Sequence, residues 1–344
     1  MIVADKKKIL QVKNLKTYFF TEDGVAKAVD GVDFEIYQGE TLGLVGESGC
    51  GKSVTAFSIL RLLDYPGKTV EGQIIFKGAD LLKKSDNEMR KIRGKEIAMI
   101  FQEPMTSLNP VFTIGYQISE ALKIHLKMSN REAKMKSIEL LEKVGIPIPK
   151  QRFDEYPHQL SGGMRQRAMI AMALSCNPIL LIADEPTTSL DVTIQAQILD
   201  LMKNLLKQFN SSLIMITHDL GVIAEIADRI AVMYAGKIVE YAETRSIFFS
   251  PLHPYTYGLL TSIPRLDLDL GKLESIPGIV PDPLHFPSGC KFHPRCIFAT
   301  RKCKEEEPLL ERIENNHMVR CWHVDKLKEE EDRISYSRRL ATVE

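Results

Sequence analysis

Gly46, Gly49, Gly51, Lys52 and Ser53 stand in the spacing G-x-x-x-x-G-K-S, between an apolar run at 42–45 and an apolar-periodic run at 54–63. That spacing suits a loop that cradles nucleotide phosphates. Glycine admits backbone conformations that a Cβ forbids, so successive N–H groups can turn inward toward oxygen anions. A helix opening at Lys52 adds the positive end of its dipole. Lys52 offers a mobile cation to the β- and γ-phosphates, and the Ser53 hydroxyl is a hard oxygen ligand for Mg²⁺.

A second chemically capable group, Asp184 and Glu185, follows the apolar run at 180–183. Beside a phosphate cradle, Asp184 is suited to hold Mg²⁺ through water. Glu185 would face the γ-phosphate as general base. The plainer alternative is a helix-capping acid. Gln102, at the end of another apolar run, has an amide able to ligate Mg²⁺ or sense the γ-phosphate. His218 follows the run 213–217 and can hydrogen-bond the γ-phosphate, although His218 and Asp219 would equally serve as a helix-capping pair. Ser161, Gly162 and Gly163 open a further apolar helix pattern with Ser161 as N-cap, which makes a second anion-binding helix terminus. One nucleotide needs only one cradle, so two such termini in one chain call for an explanation.

The elements that must position these side chains are legible from periodicity. Runs 9–21 and 32–37 alternate as strands of an antiparallel layer, and 70–77 adds a third. Residues 81–95 read as a charged helix and 97–102 as a short strand. From 110 to 150 the pattern is helical, with Ile114, Ile118, Ala121 and Leu122 on one stripe and Ala133, Ile138, Leu140, Leu141 and Val144 on the next. This is an inserted helical lobe. Runs 179–183 and 213–217 are apolar throughout, as buried parallel strands are, with polar residues at their C-terminal ends. Helices are expected at 163–175, 192–209 and 219–227, and a hairpin turning at Ala235 and Gly236 joins 230–234 to 237–241. Prolines crowd the chain from 251 onward, so a domain boundary is expected near 250, dividing 1–250 from 251–344. The last twenty residues read as a charged tail.

Apolar residues make up 44% and charged residues 26%, as in a globular chain with ample core. Lys plus Arg, 45, balances Asp plus Glu, 45, which gives no global drive toward nucleic acid or an acidic membrane surface. The N-terminal residues lack the apolar core of a signal peptide, and no apolar run approaches the roughly 18 residues of a membrane span. The expectation is a cytoplasmic chain, where structural disulfides are disfavoured.

Taken together over about residues 9–250, these motifs closely resemble the nucleotide-binding subunits of ABC transporters. In that resemblance residues 46–53 are Walker A, Gln102 is the Q-loop glutamine, and Leu160, Ser161, Gly162, Gly163 and Met164 are the signature. Leu180 to Asp184 is Walker B with catalytic Glu185, Ser189, Leu190 and Asp191 form the D-loop, and His218 is the switch histidine. The resemblance implies an α/β fold: a RecA-like P-loop core with an antiparallel β layer and a helical subdomain at about 103–157. A small proline- and cysteine-rich C-terminal domain would follow. It also implies that two subunits pair head-to-tail, the signature helix of one capping the γ-phosphate held by the other. Nucleotide contacts are then expected from Gly46, Glu47, Ser48, Gly49, Cys50, Gly51, Lys52, Ser53 and Val54, and from the partner's Ser161, Gly162, Gly163 and Gln166. Glu185, His218, Gln102 and Asp191 are the catalytic set, and Ser53, Gln102 and Asp184 the Mg²⁺ set. An aromatic before the first turn is expected to stack on adenine, Phe19 with Tyr18 as alternative, ahead of a loop at 20–27.

The resemblance narrows at Phe101 to Pro110, at Tyr156, Pro157, His158 and Gln159, at His253, Pro254, Tyr255 and Thr256, and at Pro287, Ser288, Gly289 and Cys290. These stretches are similar to the oligopeptide/dipeptide importer ATPases. That implies an ATPase at the cytoplasmic face of the membrane. Its partners would be a second ATPase subunit (self or related), two transmembrane subunits and an extracytoplasmic peptide-binding protein. The rival reading is a soluble ABC-type ATPase acting on nucleic acid through a zinc-binding C-terminal module, and a third is a regulatory module that binds ATP without turnover.

Four of the six cysteines, Cys290, Cys296, Cys303 and Cys321, fall in the last 55 residues. Tight C-x2-C pairs, which structural zinc favours, are missing. Wider spacing with Lys291, His293, Arg295 and Arg301 interspersed suits a [4Fe–4S] cluster, whose Cys₄ shell carries net negative charge. Zinc and free thiols are the alternatives, and some related importer ATPases carry such a cluster. Cys50 and Cys176 read as incidental, with Cys50 open to alkylation when no nucleotide is bound.

Overall fold

A computed structural model describes residues 7–103, 107–188, 191–262, 276–314 and 316–327. The chain begins with β1 (Lys8–Thr21), β2 (Gly24–Tyr37) and β3 (Thr41–Val45), then α1 (Lys52–Leu60), β4 (Gly67–Phe76), β5 (Ala79–Asp80), α2 (Asp86–Ile92) and β6 (Ile97–Ile100). A helical stretch follows: α3 (Ile114–Leu126), α4 (Asn130–Lys143), α5 (Pro149–Arg152) and α6 (Gly162–Leu174). Strand and helix then alternate through β7 (Leu180–Asp184), α7 (Val192–Phe209), β8 (Ser212–Thr217), α8 (Leu220–Ile226), β9 (Arg229–Tyr234) and β10 (Lys237–Glu243). The remainder holds α9 (Thr244–Phe249), α10 (Pro254–Thr261), α11 (Arg301–Glu305), β11 (Glu311–Glu314) and β12 (His317–Val319).

Two sheets organise these elements. An antiparallel sheet runs β2-β1-β4-β5, and a mixed sheet runs β11-β12-β10-β9-β3-β8-β7-β6. The centre of the mixed sheet is parallel, with β3 between β8 and β9, and β7 between β6 and β8. Its strands are apolar on both faces, as parallel strands covered on both sides must be. The period-2 alternation divides them between two cores. Leu180, Ile182, Ile214 and Ile216 face the antiparallel layer and α1, while Leu181, Ala183, Leu213 and Met215 face the helical side. Burying each of these leucine, isoleucine and methionine side chains is worth about 1.5–3 kcal/mol. The C-terminal ends of β3, β7 and β8 therefore lie at one edge of a rigid layer, where the chemically capable residues sit.

Several expectations needed correction. The loop expected at 20–27 is a two-residue turn at Glu22 and Asp23, and β2 starts at Gly24 rather than 32. The helix expected at 81–95 is broken. A short 3₁₀ turn, Leu81–Lys83, precedes α2, which starts afresh at a capping box: the Glu88 carboxylate accepts from the Ser85 N–H at 2.8 Å. The hairpin at Ala235 and Gly236 is as expected; φ is positive at both (46° and 79°), as a primed turn requires. Among the described residues, the chain beyond 250 joins the mixed sheet instead of forming a layer of its own. Its strand β12 pairs antiparallel with β10, Glu240 opposite Val319 and Tyr241 opposite Met318. The Glu240 carboxylate, wholly buried, accepts from the Leu252 and His253 N–H groups at 2.6 and 3.0 Å and lies 2.6 Å from His317 Nε2. The tail expected over the last twenty residues lies outside the described residues from 328 onward.

Candidate functional site

β3 delivers the chain into the glycine loop, and α1 takes it away. Gly51 is the N-cap of α1 in the left-handed region, and no side chain caps the helix. The first-turn N–H groups are therefore left to a ligand. The glycines are required by close approach. A Cβ at Gly46 would come within 2.1 Å of the Met233 carbonyl oxygen, and one at Gly51 within 2.2 Å of Ala28 O. The Lys52 ammonium is buried and donates to Gly46 O at 2.7 Å and Glu47 O at 2.9 Å, a cation held inside the loop. Ser48 and Gly49 are exposed at its mouth, and Ser53 and Val54 are half-buried. Cys50 differs from expectation: its side chain is fully buried, and burial pushes its thiol up, so its side chain is no ready target for alkylation.

Asp184 ends β7. Burial pushes its carboxyl up from the usual range, against a hydrogen bond from Ser53. Its Oδ1 is buried without a partner, an arrangement that a cation would complete. Glu185 follows in a left-handed conformation, φ 46°, a strained backbone for a non-glycine residue, with its N–H donated to Ile216 O at 2.9 Å. Three polar groups converge on its carboxylate. Gln102 Nε2 and Thr188 Oγ1 each donate to Oε2 at 3.0 Å, and His218 Nδ1 lies 3.2 Å from Oε1. The capping alternative at 218–219 resolves here, because Asp219 alone caps α8, through the Gly221 and Val222 N–H groups, and His218 turns to Glu185. A carboxylate so held can orient and deprotonate a water. With its Nε2 given to Glu185, Gln102 has its carbonyl oxygen as the atom a cation would use.

Ser161 caps α6 by accepting from the Met164 N–H, and Ser161 and Gly162 are exposed. Gln166 departs from expectation. It is buried and its Nε2 donates to Pro186 O at 2.5 Å, so it braces the segment after Glu185 rather than facing outward with Ser161. Asp191 caps α7 through the Ile194 N–H at 2.9 Å; Ser189 and Leu190 lie outside the described residues. Phe19 packs on Gly67, where a Cβ would fall 2.8 Å from its ring. The Tyr18 hydroxyl is committed to Asp30 Oδ1 at 2.8 Å.

Cys290, Cys296, Cys303 and Cys321 line one small cavity with His253, His293, Trp322 and His323. Burial pushes the thiols of Cys290, Cys296 (to about 11) and Cys321 (to about 12) up, and the nearby Cys303 raises all three further. Among the described residues no three such side chains are arranged to hold one metal ion. Sequence reasoning missed Thr188, and also Arg295 and Tyr255 as neighbours of the glycine loop. Thr188 is three residues from Glu185, a spacing that could have suggested it; the other two carry no local signal.

This geometry defines an ATP-binding cassette. A dimeric ATP-binding cassette solved in a post-hydrolysis state with ADP and Pi superposes with a TM-score of 0.63 at 28% identity, covering 69% of this chain and 99% of that one. The cassette cbiO1 from Clostridium perfringens, part of the ABC transporter complex cbiONQ, gives a TM-score of 0.60 at 26% identity, covering 71% of this chain and 92% of that one. The ABC transporter family pattern matches residues 29–188, and the pattern for the C-terminal region of oligopeptide/dipeptide transporters matches 239–303. The oligopeptide transport ATP-binding protein AppD of Bacillus subtilis is 56% identical over 91% of this chain and 96% of its own length. The dipeptide transport ATP-binding protein DppD of Escherichia coli is 49% identical over 91% and 96%. The chain belongs to the ABC transporter family, in its branch of oligopeptide/dipeptide ATP-binding subunits, and is an ATPase of that family. No helix among the described residues is long and apolar enough to cross a membrane.

Proposed function

We propose that this chain hydrolyses ATP to drive import of di- or oligopeptides, as one of two ATPase subunits beneath two membrane-spanning subunits served by an extracytoplasmic binding protein. It would lie peripherally at the cytoplasmic face. The names of its relatives support the peptide class, and the balanced charge gives the nucleic-acid reading no support. Functionally, residues 1–250 are the motor and 251–344 an extension fused to its sheet.

The observation that carries the reading is the convergence of Gln102, Thr188 and His218 on Glu185. Residues 46–54 would hold the triphosphate, and Phe19 would stack on adenine, Tyr18 being committed to Asp30. Ser53 and Asp184, with Gln102 through its carbonyl oxygen, would hold Mg²⁺. The orphaned Asp184 Oδ1 fits that group. The bound cation would offset phosphate charge. Glu185 would take the proton of the attacking water while His218 fixes its orientation. Ser161, Gly162 and Gly163 of a second subunit would close over the γ-phosphate, and Asp191 would act indirectly, by anchoring α7 beside that closure.

We infer further that Cys290, Cys296, Cys303 and Cys321 hold a [4Fe–4S] cluster. The support is their shared cavity. Cubane thiolates bind four different irons and need not converge on one point as zinc ligands must. The cluster would supply a structural staple. Anaerobically purified protein should be brown with stoichiometric iron; colourless protein with stoichiometric zinc overturns the assignment. For the function itself, peptide uptake should fail in cells lacking this chain and return with it. Uptake unaltered by its loss overturns the peptide reading.

A further inference from the structure

Between its first two clustered cysteines the chain folds back onto the phosphate loop. Lys291 donates to Asp30 Oδ2 and to Ala235 O, both at 2.9 Å. Phe292 packs among Tyr234 and Tyr255, with ring centroids 5.1 and 5.4 Å away. Arg295 makes a two-pronged ion pair with Glu47 of the glycine loop, Nη1 to Oε2 at 2.7 Å and Nη2 to Oε1 at 3.1 Å. Its guanidinium, whose side chain is 4% exposed, is itself aimed by Pro277 O, which accepts from Nε at 2.8 Å. From the other side, the Glu47 N–H donates to the hydroxyl of buried Tyr255 at 2.9 Å. Glu47 is thus gripped at main chain and side chain by residues 208 and 248 positions away.

Nothing in the chemistry of phosphate binding needs this grip. Backbone N–H groups bind an anion well only when held in place beforehand, since reorganisation would consume binding energy. A glycine-rich loop is the backbone least able to hold itself. A planar, bidentate, mostly buried guanidinium–carboxylate pair is the strongest orienting contact that side chains offer.

We propose that Arg295 is a positioning residue for nucleotide binding. Acting through Glu47, it holds the phosphate loop in its binding conformation, so the C-terminal extension sets the affinity of the cassette for ATP. This rests on the reading of residues 46–54 as the ATP cradle.

The test uses the full chain. Dissociation constants for Mg–ATP, kcat, KM and the nucleotide-free Tm are measured for wild type, Arg295→Ala, Arg295→Lys, Glu47→Gln and Arg295→Ala/Glu47→Gln. Arg295→Ala should raise Kd and KM about tenfold with kcat changed less than about twofold, tenfold being about 1.4 kcal/mol. Arg295→Lys, keeping charge but not the fork, should recover part of the loss. The double variant should bind no more weakly than Arg295→Ala, because both changes break one contact. Should Arg295→Ala fail to fold, Glu47→Gln and Arg295→Lys report on the same contact from either side. Kd within twofold of wild type in Arg295→Ala or, where that variant does not fold, in Glu47→Gln, or losses that simply add in the double variant, overturns the proposal. A wild-type chain that binds no ATP instead overturns the cradle reading beneath it.

Discussion

At the start of α1 the chain closes over itself. Gly46 and Gly51 are pressed against Met233 O and Ala28 O, and Lys52 is buried in the loop. At the start of α6 the opposite holds: Ser161 and Gly162 are exposed, and a Cβ on Gly162 would meet nothing within 4 Å. Both are helix termini able to bind an anion, yet one is enclosed by the surrounding chain and the other, though capped by Ser161, lies at the surface. On the reading proposed above, the first would be one half of a binding site. The second would, on the same reading, serve a phosphate held by another molecule.

The largest test of this contrast falls on the carboxylate between the two. Glu185→Gln should lower turnover 10²–10⁴-fold while Mg–ATP accumulates a stable dimer on size exclusion. Turnover at half of wild type would remove Glu185 as the base. Next, the same small change at the two helix starts should have unequal consequences. Gly46→Ala should cost about 2–4 kcal/mol of stability through overpacking and strain, whereas Gly162→Ala should leave Tm unaltered and lower only dimer-dependent hydrolysis. Equal Tm losses would erase the distinction. Ser161→Ala should cost about 1 kcal/mol through loss of the cap, read by denaturant unfolding. The smallest effect is on pH. The Asp184 carboxyl is raised by burial, so the ionised form that would hold Mg²⁺ on the proposed reading is lost, as pH falls, at a higher pH than for an ordinary aspartate. Mg²⁺ affinity of the chain should weaken accordingly on acidification, and Asp184→Asn should flatten that dependence.

The site was legible where chemistry is local. The P-loop, the Asp184–Glu185 strand end and His218 each sit within a few residues of an apolar run that fixes their direction. The helical lobe was legible because its apolar stripes repeat over helices of 13 and 14 residues. What could not be read is what depends on distant pairing. Strands β11 and β12 have four and three residues, too short to show alternation; β12 takes its register from β10, and β11 from β12. Arg295 among cysteines read as a neighbour of the metal site, since nothing near it in sequence points to Glu47. Gln166, expected among the nucleotide contacts, turns instead toward Pro186, a partner 20 residues away that nothing beside it in sequence points to.

The pairing of β12 with β10 has a practical consequence. Cutting the chain at 250, to isolate a minimal motor, would strip β10 of its outer neighbour β12, leave it paired only with β9, and open a strand rim beside Ile238, Val239 and Tyr241. It would also remove Leu252, His253 and His317 from the sunken Glu240 carboxylate. Such a fragment should stick to its own copies before any ATP assay begins. Its silence would then report on solubility and say nothing about hydrolysis.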